Sequence, residues 1–118
     1  MSDVEIETDQ SGRIELRVSG EIDLTNAGKI TTAAISQASV DAGITLDLTR
    51  VTYFDSTGVK MLLNLKERFG NRLTVLPSEH VLKILDIIGL RDKFLVGVEY
   101  STDTAFSIRD REKTPLGP

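Results

Sequence analysis

Residues 44–77 read ITLDLTRVTYFDSTGVKMLLNLKERFGNRLTVLP, and the fold follows from how this stretch divides. Ile44, Leu46 and Leu48 alternate with Thr45, Asp47 and Thr49, the period of two that marks a strand with one buried face. The strand is expected to end before Phe54. Val59, Leu62, Leu63 and Phe69 then recur at helical spacing, with Met61 and Leu65 widening the apolar arc. That width implies contact with a neighbouring helix or, as the alternative, an exposed partner surface. Leu73 to Leu76 returns to alternation and is closed by Pro77. Strand, helix and strand with short connections make a parallel βαβ unit, whose crossover is right-handed by the usual rule.

Upstream, Val4 and Ile6 alternate with Glu5 and Glu7, and Ile14, Leu16 and Val18 alternate with charged or polar neighbours. Asp9-Gln10-Ser11-Gly12 supplies turn residues between them, so the chain opens with a hairpin of half-buried strands. After Gly20 a short extended piece, residues 21–24, leads to Thr25 as helix N-cap and to Ala27, Ile30, Ala34 and Ala38 at helical spacing. Downstream, residues 79–88 form a helix stopped by Gly89, and residues 94–98 are a further candidate strand. Ser101 or Thr102 caps a last short helix holding Ala105, Phe106 and Ile108. These elements sum to an α/β sandwich of two layers, a mixed sheet of four to five strands with helices largely on one face. A single domain is expected over residues 1–108, followed by a flexible charged tail, RDREKTPLGP, over residues 109–118.

Composition narrows the function. The chain has 118 residues, 40% hydrophobic and 27% charged, the usage of one globular domain. A net charge of −4 and a pI near 4.9 argue against direct nucleic-acid binding, which draws its affinity from clustered Lys and Arg. Without cysteine there is no disulfide, thiolate zinc site or thiol nucleophile. The N-terminus lacks a signal-peptide pattern, and no apolar run approaches the ~20 residues that span a bilayer. A cytoplasmic protein without membrane contact is the default expectation.

Asp55, Ser56, Thr57 and Gly58 stand between strand and helix, where unpaired backbone N–H groups call for capping side chains. Catalytic readings of the same residues fail on spacing. A nucleophile elbow needs Gly two positions before its serine, where this chain has Phe54. His80 is the one histidine and stands at a helix start. Ala27-Gly28-Lys29-Ile30-Thr31 lacks the second glycine and the hydroxyl after lysine of a phosphate loop. Asp23, Asp47 and Asp55 have the oxygen chemistry of a cation site, but the sequence does not establish contact among them, and three acids among 18 are unremarkable. Neither catalytic residues nor a metal or cofactor are implied.

The succession GEIDLTNA (20–27), ITLDLTRVTYFDSTGVKMLL (44–63), LKILDIIGLRDKFLV (82–96) and STDTAFSI (101–108) resembles STAS-domain proteins of the bacterial anti-sigma factor antagonist type. The resemblance implies a two-layer STAS-like fold and a regulatory binding module that is not an enzyme. It implies that Ser56 is phosphorylated by an anti-sigma factor that is also a serine kinase, ATP-binding and of histidine-kinase-like fold, and that a PP2C-type phosphatase reverses this. The unphosphorylated form would bind the anti-sigma factor and release a sigma factor. Asp23, Asp55 and Ser56 match family positions, and the candidate partner-binding residues are Asp23, Asp55, Ser56, Thr57, Gly58, Val59 and Lys60, with Val59 as an apolar contact. Val59 and Lys60 depart from the Leu and small residue often found after the family's glycine. A kinase-independent STAS scaffold, in a sensory or transport-associated assembly, is the rival expectation.

Overall fold

The computed structural model describes residues 3–95 apart from 9, 11 and 39–41. Strands β1 (Asp3–Thr8), β2 (Ile14–Ile22), β3 (Ile44–Phe54) and β4 (Leu73–Pro77) form a four-stranded sheet in the order β1-β2-β3-β4. β1 pairs antiparallel with β2, as expected of the hairpin, and β2, β3 and β4 run parallel. Helix α1 (Ala27–Gln37) connects β2 to β3, and α2 (Ser56–Phe69), extended by a 3-10 turn over Gly70–Arg72, connects β3 to β4. Helices α3 (Glu79–Ile87) and α4 (Arg91–Leu95) follow.

One face of the sheet carries Ile14, Leu16, Val18, Ile44, Leu46, Leu48 and Val75, all buried beneath the helices. Each such side chain contributes about 1.5–3 kcal/mol by leaving water. The opposite face is polar and uncovered among the described residues. There the Arg13 guanidinium donates to Thr45 Oγ1 (2.8 Å) and Thr74 Oγ1 (3.0 Å) across neighbouring strands. Arg17 reaches Glu7 at 3.1 Å and Glu5 at 3.4 Å on β1, and its hydrogen bond holds the Glu7 carboxyl below the usual carboxylate range.

Several expectations are corrected by packing. β1 is exposed on both faces, with Val4 40% and Ile6 39% accessible, because no described helix reaches over this edge strand. β2 runs unbroken through Gly20 to Ile22, and residues 23–26 turn instead of extending. Thr25 is not the N-cap of α1; Asn26 holds that position without a side-chain capping bond, and the Thr25 hydroxyl donates to Asp23 Oδ1. β3 continues to Phe54 instead of stopping earlier. Two register shifts against β2 add residues to β3, so that Leu48, Val51 and Phe54 face inward at spacing three and the alternation lapses.

In α2 the buried stripe is Gly58, Met61, Leu62, Leu65 and Phe69. Val59 and Leu63 lie on its margin, partly buried, and α1 packs alongside the helix. Gly89 ends α3 in the left-handed region, at φ +79°. Phe94 belongs to α4 instead of a strand and is buried: Gly89 and Leu90 turn the chain back onto Leu85 and Asp86, and Lys93 N–H donates to Leu90 O as a new helix begins. The rest of that expected strand, the helix over residues 101–108, the domain boundary at 108 and the tail from Arg109 lie outside the described residues.

Candidate functional site

β2 and β3 end side by side, with Ile22 opposite Phe54 in the parallel register. The next residues, Asp23 and Asp55, therefore start two turns about one strand spacing (~4.8 Å) apart, at the carboxyl edge of the sheet where α/β folds commonly place binding sites. The two turns have the same sequence form, Asp23-Leu24-Thr25 and Asp55-Ser56-Thr57. Each aspartate accepts the N–H of the threonine two residues on through Oδ1, at 2.9 Å in both cases.

Their consequences differ. Asp23 Oδ1 also accepts the Thr25 hydroxyl at 2.5 Å, and the Asp23 carbonyl accepts Asn26 N–H (3.2 Å) and Ala27 N–H (3.0 Å). Asn26 Oδ1 accepts Asp23 N–H at 3.0 Å, and Asn26 Nδ2 donates to Glu21 O at 2.7 Å. Donation from the Thr25 hydroxyl, then from the Thr25 N–H, holds the Asp23 carboxyl below its ordinary range, so it is anionic at neutral pH. Asp55 is the N-cap of α2 and sits in extended backbone. The expected capping role thus falls to the aspartate, leaving the Ser56 side chain outside the capping bond.

Tyr53 bonds the second turn from the end of β3. Its hydroxyl donates to Asp55 Oδ2 at 3.2 Å, and it lies opposite Glu21 in the β2–β3 register. The negative charge of Asp55, then that hydrogen bond, raise the phenol's pKa, with smaller contributions from the charges of Asp23 and Glu21. Tyr53 therefore stays protonated and occupies the two oxygens of Asp55 together with Thr57 N–H. Tyr53 is not among the expected site residues; its sequence signal is the spacing of two from Asp55, which sets both on one side of an extended chain. Leu24, 84% exposed in the first turn, was also missed, and its signal is an aliphatic residue in a turn that local chemistry would leave polar.

The structure gathers the candidate residues at this edge. Ser56 is exposed as the first residue of α2, Thr57 is half-buried, and Lys60 is exposed one turn along. Gly58 is buried: a Cβ there would lie 2.4–2.9 Å from three ring atoms of Phe54. Val59 shares itself between the core margin and the surface. Asp47 lies within β3 and holds its own threonine, Thr49, through N–H (2.9 Å) and hydroxyl (2.6 Å). Among the described residues no group of three or more acids or imidazoles could hold a metal. His80 is exposed on the first turn of α3, and no described helix is long and apolar enough to cross a membrane.

Removing the cap tests this local account. Asp55→Ala leaves Thr57 N–H and the Tyr53 hydroxyl without their acceptor, and is expected to cost about 1 kcal/mol. Asp55→Asn, which keeps a capping oxygen, should lose a smaller part. Urea unfolding measures both, and equal losses for the two variants would contradict the capping role.

The STAS domain family model matches residues 5–105. An anti-sigma-B factor antagonist of Listeria monocytogenes is 33% identical over 95 residues, covering 75% of this chain and 82% of that protein. Among solved structures, an anti-sigma factor antagonist from Mycobacterium paratuberculosis is similar with a TM-score of 0.66 at 25% identity, over 80% of this chain and 83% of that one. The anti-sigma factor antagonist SpoIIAA in its unphosphorylated form is similar with a TM-score of 0.60 at 25% identity, over 75% and 83% of the two chains. The phosphorylated form of the Bacillus cell fate determinant SpoIIAA gives 0.53 at 25% identity, over 75% and 85%.

Proposed function

The chain belongs to the STAS domain family, among the anti-sigma factor antagonists, and on that premise we propose that it is a phosphorylation-controlled partner switch. Its unphosphorylated form binds an anti-sigma factor and so releases a sigma factor. Phosphorylation of Ser56 by that anti-sigma factor, acting as a serine kinase, switches binding off. The observation that carries this reading is the exposed Ser56 hydroxyl at the start of α2, immediately after an aspartate whose carboxylate is already engaged. That one of the similar proteins exists in phosphorylated and unphosphorylated forms supports it.

In this switch the chain is a substrate and a binding surface, and the catalytic groups belong to its partners. The Ser56 oxygen attacks the γ-phosphorus of ATP, ADP leaves, and the hydroxyl proton passes to a base on the kinase. A PP2C-type phosphatase returns the serine by hydrolysis, releasing inorganic phosphate. Sigma factors act on transcription, so the setting is the cytoplasm.

Electrostatics explain why such a phosphate would act on the interface and leave the fold intact. It adds about −1.5 to −2 charges. The start of α2 favours an anion by roughly 0.3–1 kcal/mol, while Asp55, Asp23 and Glu21 repel it. These local contributions largely cancel. What remains is the cost of desolvating a dianion, or of setting it against a partner's charges, whenever the complex forms.

Incubation with ATP and each anti-sigma kinase of the source organism, followed by intact-mass and site-mapping spectrometry, tests the assignment. One phosphate is expected on Ser56, absent from Ser56→Ala and retained by Thr57→Ala. Labelling at Thr57 alone would move the site. No modification by any kinase, together with stable binding of another partner, would favour a kinase-independent scaffold.

A further inference from the structure

Leu24 occupies in the first turn the place that Ser56 occupies in the second. Both are the middle residue of an Asp-x-Thr turn, both turns leave adjacent parallel strands at the Ile22–Phe54 register pair, and both middle residues are exposed. At 84% accessibility Leu24 is the most exposed of the large hydrophobic residues in the described structure. A floppy loop would let such a side chain fold back on the protein. This loop is stiff: the Asp23 carboxylate takes the N–H and hydroxyl of Thr25, and Asn26 ties the Asp23 N–H to the Glu21 carbonyl.

We propose that Leu24 is the apolar anchor of the partner interface, and that the partner carries an apolar socket for it, with arginine or lysine on the side that faces Glu21 and Asp23. The inference rests on the reading of the chain as an anti-sigma factor antagonist and deepens it by naming the chemistry of the partner surface. Charge complementarity sets the rim: Asp55 accepts the Tyr53 hydroxyl, Glu21 lies opposite Tyr53 in the strand register, and Asp23 opens the neighbouring turn. Tyr53, 46% exposed, adds an aromatic face of the kind that carries binding energy at protein interfaces. The turn is held before binding, so docking Leu24 orders little new structure.

The test uses the full chain and, as probe, each purified anti-sigma kinase of the source organism. Calorimetric titration of Leu24→Ala is expected to show binding weakened about thirtyfold, and Leu24→Asp a larger loss. Both variants should unfold at the wild-type temperature, since the side chain touches little in the free protein. Glu67→Ala, exposed near the far end of α2, should bind like wild type. Leu24→Ala binding within twofold of wild type would overturn the inference while leaving the proposed function standing. A wild-type chain that binds no anti-sigma kinase would instead remove the proposed function, and the inference with it.

Discussion

Ser56→Asp is expected to weaken binding of the anti-sigma kinase about thirtyfold, roughly 2 kcal/mol, without lowering the stability of the chain. The two halves of this expectation have separate origins. In the free protein an aspartate at the first residue of α2 meets the positive end of the helix dipole, which favours it by about 0.3–1 kcal/mol. Repulsion from Asp55 offsets part of that gain, so the unfolding midpoint should stay close to wild type. In the complex the same carboxylate must shed water at the centre of the contact. Ser56→Ala has no charge to desolvate and should bind within threefold of wild type while refusing phosphate. Thermal unfolding paired with calorimetric titration separates the effects. A Ser56→Asp chain that bound normally, or one that lost binding only because it had unfolded, would contradict an interfacial switch.

Gly58→Ala is expected to destabilise the fold by about 1–3 kcal/mol, against the ordinary ranking of helix formers. Propensity alone predicts a gain of about 1 kcal/mol when alanine replaces glycine inside a helix. Packing predicts the reverse here. The new Cβ would stand 2.4 Å from Phe54 Cε1, 2.7 Å from Cδ1 and 2.9 Å from Cζ, and the Phe54 ring is buried, so core and helix must shift as they do in overpacked interiors. Phe54→Leu in the same chain removes the ring atoms that collide. The double variant should therefore lose less than the sum of the single losses by more than about 0.5 kcal/mol. Urea unfolding of the four chains measures this coupling, and a more stable Gly58→Ala protein would mean that the ring moves aside freely. Because Phe54 directly precedes the cap, the close fit also fixes where Asp55 and Ser56 emerge.

The sheet and its helices were legible where one periodicity holds throughout an element. Ile14, Leu16 and Val18, and again Ile44, Leu46 and Leu48, alternate because one sheet face is buried and the other meets water. Legibility failed where tertiary geometry changes the period. The second half of β3 looks irregular because two register shifts place Leu48, Val51 and Phe54 three apart on the inner side. The apolar run at Phe94 fits a strand or a short helix equally well by pattern; the turn at Gly89 and Leu90 decides for the helix.

The candidate site divides in the same way. Asp55 and Ser56 were visible as a polar insert between strand and helix, and Asp23 through a resemblance. The sequence could not show that the β2–β3 register sets the Asp23 and Asp55 turns beside each other, since that depends on residues added by the shifts in β3. Thr25 has the right chemistry for an N-cap, yet its hydroxyl is taken by Asp23. Tyr53 follows a conventional strand pattern locally, and Leu24 closes what reads in sequence as an extended piece, residues 21–24. They acquire interest only once the two turns meet.

Titration of the anti-sigma kinase into the chain carrying phosphoserine at position 56, alongside the unmodified chain, tests the switch most directly. An interfacial penalty of about 3 kcal/mol corresponds to binding more than a hundredfold weaker for the phosphorylated form, and that is the predicted result. Equal affinity of the two forms would contradict it.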